Sequence, residues 1–337
     1  LFRRDRFIAL EQAGSEIKQS EAELIEAQGE LIIRVAERYF NILAKVNSLE
    51  FAETEVKSLH RQLEQAKQRF EVGLSAITDV HEAQAGYDLA VAQKIQAHNA
   101  IDDSREAMRE LTGEYIIEFN QLGESMSLVS PEPQAIEAWT QLSLDQNLGI
   151  IASSHAVEIA QKEVKRRSAE RLPTLDLVAA ETYDSSGGRF GSTKQHGTSI
   201  GIELNIPIYS GGLVSSQIRE AHENYNIAIY SLERARRSAQ RMTREAYLGV
   251  IYGISRVKAL KQAVVSSEAA LEATKVGFDV GTRTAVDLVV SQRTTSEARR
   301  NYSQSKYDYI IDTLSLKQAA GNLTTEDLEL INDWLTK

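Results

Sequence analysis

Apolar and small side chains recur with a heptad spacing in two long stretches of the chain. In the first stretch, steps of three and four residues separate Leu49, Ala52, Val56, Leu59, Leu63, Ala66 and Phe70. The second stretch repeats the spacing less strictly at Val257, Leu260, Val264, Ser267, Leu271, Thr274 and Phe278. Such a seam is typical of helices that pack against each other as a coiled coil. No proline falls within about residues 10–112 or 215–320, so both stretches can lie in long helices, the first from roughly Glu11 to Val72.

A glycine follows each seam, at Gly73 and at Gly281, and a second glycine lies farther along each stretch, at Gly113 and at Gly321. Glycine is the residue that most readily adopts the left-handed conformation with which helices end. Each long helix is therefore predicted to end at its glycine, to turn within a few residues, and to continue as a second helix. The pattern predicts two long antiparallel helical hairpins.

The two predicted hairpins are copies of one unit. The segment Phe70-Glu71-Val72-Gly73 recurs as Phe278-Asp279-Val280-Gly281, 208 residues later (278 − 70), and the offset holds without a gap from Ala13 to Gly113. A long internal repeat indicates one structural unit present twice. The second copy includes a helix and a strand pair at about 147–208. Subtracting the offset places their counterparts before Leu1, so we expect about 60 residues of helix and strand to precede this sequence.

Residues 199–208 change the period of the pattern from helical to alternating. Apolar Ile200, Ile202, Leu204, Ile206 and Ile208 alternate with Ser199, Gly201, Glu203, Asn205 and Pro207. This alternation predicts a strand with one apolar and one polar face. Residues 174–183 alternate more weakly, and residues 184–197 are predicted to form an exposed polar loop. Two strands of about ten residues fit one hairpin of a transmembrane β-barrel. A half-buried hairpin of a soluble protein fits the pattern equally well.

Composition excludes several classes of function. The net charge of −10 disfavours nucleic acid as a partner, because binding to phosphate needs basic patches. Cysteine is absent, which excludes disulfides and thiolate metal sites, and the six histidines are scattered without the spacing of metal ligands. No catalytic constellation is present. We therefore expect no catalytic residue, no metal, no cofactor and no enzymatic activity.

Four segments together resemble the TolC-like outer-membrane efflux proteins. Residues 69–80 (RFEVGLSAITDV) resemble the first hairpin turn of that family, and residues 280–288 (VGTRTAVDL) resemble the second. Residues 172–177 (LPTLDL) and 207–212 (PIYSGG) resemble the ends of the family's second strand pair. The likeness extends from about Leu1 to Leu330.

The resemblance implies a mainly α fold with a small β part. Long antiparallel coiled-coil hairpins would form an α-helical barrel through the periplasm, and the strands would join a trimeric 12-stranded transmembrane β-barrel in the outer membrane of a Gram-negative bacterium. It implies a homotrimeric export duct of a tripartite efflux or type I secretion system. Its partners would be a periplasmic adaptor (membrane fusion protein), an inner-membrane pump and outer-membrane lipid. The alternative is a soluble structural coiled-coil scaffold protein, which leaves the alternating strands unexplained.

The same resemblance divides the chain into segments with expected places in the duct. The expected segments are 1–9, the end of the first-unit strand pair; 10–122, the first hairpin of the periplasmic tunnel; 123–146, an equatorial linker; 147–171, a tunnel helix of the second unit; 172–212, the outer-membrane β-hairpin; 213–322, the second tunnel hairpin; and 323–337, a C-terminal equatorial segment.

Thr78, Asp79 and Arg283 match the family's gate, in which polar links between neighbouring helices hold the periplasmic tip closed. Arg283 can donate to both the Asp79 carboxylate and the Thr78 hydroxyl. On the residues alone, Asp79 and Arg283 would be a solvated surface pair. The sequence departs from the family at Phe278, where a tyrosine is common. Since phenylalanine has no hydroxyl, we expect the lock to lose one link or to replace it by packing.

Asp287 matches one of two inward carboxylates at the family's constriction, and Val290 stands where the second would be. A trimer would therefore present three carboxylates rather than six, which favours cations over anions. On the residues alone, Asp287 would be a stabilising aspartate at a helix N-terminus. On the strand, the apolar residues expected to face lipid are Ile200, Ile202, Leu204 and Ile206.

Overall fold

The computed structural model of the chain describes residues 1–123, 126–189 and 191–336, and helices dominate it. The elements in chain order are α1 (Arg4–Glu71), α2 (Ile77–Thr112), β1 (Gln121–Leu122), α3 (Ile136–Gln146), α4 (Leu148–Ala169), β2 (Thr174–Gly188), β3 (Gly191–Asn205), α5 (Leu213–Asp279), α6 (Ala285–Ala320), α7 (Thr325–Asn332) and β4 (Leu335–Thr336). The predicted fold class, mainly α with a small β part, is confirmed.

Both predicted helical hairpins are present, α1 with α2 and α5 with α6. Their turns are built alike. Gly73 and Gly281 take φ values of 73° and 79°, the left-handed region that glycine enters at no steric cost. In each turn the first residue after the glycine closes back on the helix: the N–H of Leu74 donates to the carbonyl of Arg69, and the N–H of Thr282 donates to that of Gly277, both at 2.8 Å. The repeat in the sequence is therefore a repeat in backbone geometry.

The chain groups into two compact units, residues 1–26 with 146–239 and residues 27–145 with 240–337. The second unit contains both hairpin turns and the principal core. Its largest fully buried side chains are Tyr309, Ile42, Leu43, Leu59, Ile310, Leu314 and Leu316. The predicted seam lies on the buried side of α1, where Leu59 and Leu63 are 1% and 2% exposed. Burial of this apolar stripe is the main stabilisation of helices of this length.

Short elements close the second unit away from the turns. Strands β1 and β4 pair antiparallel, with Leu122 opposite Leu335. Tyr309, which is buried on α6, accepts a hydrogen bond from the N–H of Val129 at 2.8 Å and donates to its carbonyl at 3.0 Å. The irregular segment around Val129 is thereby fixed to the helices, because a buried phenol needs such partners.

The first unit contains the predicted β-hairpin, and its strands are longer than the sequence pattern indicated. Strands β2 and β3 pair antiparallel from Thr174 opposite Asn205 to Gly188 opposite Gly191. The prediction of a loop over residues 184–197 is therefore wrong for all of that segment except the turn itself, in which Phe190 lies outside the described residues. Polar side chains and glycines do not interrupt the ladder, because its hydrogen bonds come from the backbone.

The start of the chain also differs from the expectation. Helix α1 begins at Arg4, so the strand end expected over residues 1–9 is confined to Phe2, which forms an isolated antiparallel bridge with Leu175. Residues 4–9 do not alternate, and Asp5 in the first turn suits a helix N-terminus. Beside the bridge, Arg3 donates to both carboxylate oxygens of Asp176, at 2.9 and 2.8 Å. The first residues of the chain thus bind along the free edge of β2.

Candidate gate at the paired hairpin turns

The two hairpins pack side by side next to their turns. A Cβ on Gly86 of α2 would lie 3.6 Å from both methyl groups of Val289 on α6, an ordinary packing distance, so the two helices are in contact here. Val289 also forms a small buried cluster with Leu59 and Ala90. The buried amide of Gln62 donates to the carbonyl of Ala285 at 3.4 Å. Both hairpin turns therefore lie at the same end of the second unit.

Arg283 is exposed in the second turn, and its stem is positioned by a glycine. A Cβ on Gly277 would lie 2.7 Å from the Cγ of Arg283, closer than such atoms approach. The carbonyl of Gly277 accepts hydrogen bonds from the N–H groups of Thr282 at 2.8 Å and Arg283 at 3.1 Å, and from the Thr282 hydroxyl at 3.1 Å. Gly277 thus fixes the turn and leaves room for the arginine.

Thr78 and Asp79 lie in the first turn of α2, where the N–H of Asp79 donates to the carbonyl of Ala76 at 3.1 Å. Thr78 is exposed and Asp79 is half-buried. Among residues 1–123, 126–189 and 191–336, no ion pair or side-chain hydrogen bond joins Arg283 to either of them. Within one chain, the three predicted gate residues therefore lie at the same end of the second unit, but Arg283 is not hydrogen-bonded or ion-paired to Thr78 or Asp79 among the described residues.

Phe278 has a partner that sequence reasoning missed. The guanidinium of Arg69, in the last turn of α1, lies 5.3 Å from the centre of the Phe278 ring. Both side chains are half-buried. The repeat contains a signal for this contact, because the position equivalent to Arg69 in the second copy is Gly277 (69 + 208), so the arginine belongs to one copy only.

Asp287 closes a capping box at the start of α6. Its carboxylate accepts from the N–H of Thr284 at 3.0 Å, and the Thr284 hydroxyl accepts from the N–H of Asp287 at 3.2 Å. The hydrogen bond from the Thr284 backbone, the hydroxyl of Thr284 and the charge of Arg283 hold the pKa of Asp287 below its ordinary value. Val290 is 54% exposed one helical turn farther on, on the same side of α6.

The β-hairpin of the first unit presents an exposed apolar face. Ile200, Ile202 and Leu204 are 75%, 68% and 59% exposed, and Ile206, at 54%, lies one residue beyond β3. Opposite them in register are the apolar Ala179, Leu177 and Leu175 of β2. Residues that face each other across an antiparallel pair share one face, so the apolar side chains form a single patch. A patch of this kind marks a surface that contacts something other than water.

The helices themselves give no sign of a membrane span: none in the described part of the chain is both long and apolar enough to cross a bilayer. The described residues also contain no cluster of histidine and carboxylate side chains suited to a metal ion.

The outer membrane efflux protein family matches residues 1–114 and 139–322 of the chain. The outer membrane protein TolC of Vibrio cholerae serotype O1 is 36% identical, over 98% of this chain and 77% of its own length. TolC of Escherichia coli K12 is 33% identical, over 92% and 65%. The alkaline protease secretion protein AprF of Pseudomonas aeruginosa is 30% identical, over 90% and 63%. The chain thus spans about two thirds to three quarters of these relatives.

Solved structures share the fold. The CmeC outer membrane channel of Campylobacter jejuni has a TM-score of 0.82 at 17% identity, over 98% of this chain and 72% of its own.

The match to the family covers most of the chain, residues 1–114 and 139–322, and these residues include both helical hairpins and the β-hairpin. The chain therefore belongs to the outer membrane efflux protein family, the channels through which export systems cross the outer membrane.

Proposed function

We propose that three copies of this chain form a gated duct that exports substrates through the outer membrane. The observation that supports this function most directly is the exposed apolar face of the β2–β3 hairpin. A two-stranded hairpin also leaves unpaired backbone groups along its outer edges, which lipid cannot satisfy. In a closed 12-stranded barrel built by three chains, those edges are paired and the apolar face lies against lipid.

The duct is proposed to work with a periplasmic adaptor and an inner-membrane pump. Among the relatives, AprF and PrtF are named as protease secretion proteins and BepC as an outer membrane efflux protein. The duct is therefore proposed to serve a type I secretion or tripartite efflux system. Substrate choice is proposed to lie mostly with the pump.

The gate is proposed to close by links between neighbouring hairpins of the trimer. Arg283 is exposed and has no ion pair with a carboxylate in the described part of its own chain, and Asp79 is similarly unpaired. Arg283 of one chain can therefore donate to Asp79 and Thr78 of a neighbour. A forked, charged donor on a carboxylate favours one defined arrangement, which suits a resting state.

The constriction is proposed to lie at Asp287. Its carboxylate is ionised, and three copies converging on one axis would favour cations. Val290 adds no charge one turn away, so the ring holds three carboxylates rather than six.

The test combines assembly with conductance. The full-length protein should run as a detergent-dependent trimer by light scattering, and a monodisperse monomer without detergent would indicate a soluble scaffold instead. In planar bilayers, Asp79→Ala and Arg283→Ser should raise the single-channel conductance. Asp88→Ala, which removes an exposed carboxylate farther along α2, is the matched control and should leave it unchanged. No increase in either gate variant would refute the gate.

A further inference from the structure

We propose that Arg69 and Phe278 form a cation–π link that joins the two hairpins of each chain at their turns and stabilises the closed gate. The inference rests on the proposed gating function and adds a positioning residue, Arg69, to it. It also gives Phe278 a role through the face of its ring.

The geometry is that of a favourable contact. The guanidinium carbon lies 5.3 Å from the ring centre, within the range of about 6 Å over which a cation is attracted by the ring quadrupole. Both side chains are half-buried, which weakens competition from water. Among the described residues, no carboxylate forms an ion pair with Arg69, so the ring is the partner that the structure gives this cation.

The contact connects the two hairpins close to their turns. Arg69 is in the last turn of α1 and Phe278 is in the last turn of α5, so the link joins the first hairpin to the second. A buried hydrogen bond between the hairpins, from the Gln62 amide to the carbonyl of Ala285, starts seven residues (69 − 62) before Arg69 on α1. Any movement of one turn away from the other must separate the cation from the ring.

The internal repeat argues against a chance contact. Phe70 is the counterpart of Phe278, yet the residue is 43% exposed, and the position that would supply its cation is Gly277. In the turns the second copy has the arginine and the first does not: Arg283 of the second copy corresponds to Ser75 of the first. Each copy thus has one arginine at its turn, but from different backbone positions, and among the described residues Arg69 is the one of the two that lies over a ring.

The experiment is a double-mutant cycle on single-channel recordings of the full-length trimer. Arg69→Gln and Phe278→Leu should each raise the ratio of open to closed channels about two- to fivefold. The double variant should raise it no further than either single variant, because both remove the same link. Arg69→Lys and Phe278→Trp, which keep the cation and the ring face, should stay near the wild type. A purely structural role would not produce this rescue.

The controls are matched to each partner. Lys67→Gln removes a cation two residues away on α1 (69 − 67), where Lys67 pairs with Glu64, and Phe70→Leu removes the equivalent ring of the other copy. Both should leave the ratio unchanged. If Arg69→Gln and Phe278→Leu are silent while Asp79→Ala opens the channel, the link is refuted and the gate stands. If all three are silent, the gate itself is refuted and the link with it. Additive effects in the double variant would also overturn the link.

Discussion

Asp287 and Thr284 are joined by two reciprocal hydrogen bonds, one from each backbone N–H to the other side chain, at 3.0 and 3.2 Å. The same carboxylate that is proposed to set ion preference therefore also caps helix α6. A substitution that removes the side chain removes both functions together. Asparagine keeps an oxygen that can accept the hydrogen bond from Thr284 and removes only the charge.

We predict that Asp287→Asn reduces the preference for cations over anions and leaves assembly of the trimer intact. The measurement is the reversal potential across a salt gradient in planar bilayers. Asp287→Ala should reduce the preference equally and should also lower thermal stability, because the cap is lost. Val290→Asp should act in the opposite direction and increase block by trivalent cations. An unchanged reversal potential in Asp287→Asn would place the constriction elsewhere.

The same hydrogen bonds predict how ion preference depends on pH. A carboxyl group whose pKa is depressed keeps its charge above that pKa and loses it as the pH falls through it. Within one chain the capping hydrogen bonds hold the pKa of Asp287 below its ordinary value, so the cation preference should be present at pH 7 and should decline only as the pH falls toward the range of aspartate, about pH 4. Reversal potentials measured from pH 7 to pH 3 test this prediction, with Asp287→Asn as the variant expected to lack this transition. The same transition in Asp287→Asn, or a wild-type midpoint near neutral pH, would contradict it.

Gly277 offers a second way to disturb the proposed gate without changing a charge. An added methyl group would lie 2.7 Å from the Cγ of Arg283, so the arginine stem must move. We predict that Gly277→Ala raises the single-channel conductance in the same direction as Arg283→Ser. Gly253→Ala is the control, because its nearest neighbours in α6 lie at 3.7 Å, an ordinary contact distance. Equal conductance in Gly277→Ala and the wild type would show that the position of Arg283 does not matter.

The β-hairpin should tolerate charge on one face only. Leu204 belongs to the exposed apolar patch, and Ser199 points to the opposite face of the same strand. We predict that Leu204→Arg destabilises the membrane-inserted state by about 2–4 kcal/mol, whereas Ser199→Arg is tolerated. The yield of trimer extracted from outer membranes measures the difference. If both variants assemble equally well, the assignment of the lipid face is wrong.

The helical part of the fold could be predicted from the sequence because its determinants are local. The seam through Leu59 and Leu63 and the glycines after each long helix fix where the hairpins begin to turn, and the structure confirms both. The strands were harder to predict. Alternation identified residues 199–205, but the ladder continues into polar residues and glycines whose backbone pairs regardless of side chain. The strand ends at Asn205 rather than at residue 208, since Pro207 has no N–H for the ladder.

The candidate site could be predicted only in part, for a different reason. The cap at Asp287 is encoded within four residues, so a local pattern finds it. The contact between Arg69 and Phe278 joins positions 209 residues apart, and no spacing along the chain indicates it. Only comparison of the two copies hints at it, through the arginine that one copy has and the other lacks.

The two copies of the repeat carry their arginine at different positions, Arg69 in the first and Arg283 in the second, and this difference has a consequence for the proposed assembly. Six hairpin turns would surround the axis of a trimer, and they would be of two alternating kinds, one with its arginine on the helix and one with its arginine in the turn. The rotational symmetry of the ring is then threefold and not sixfold. A partner built from six identical subunits would have to meet this end of the duct with two non-equivalent sets of contacts.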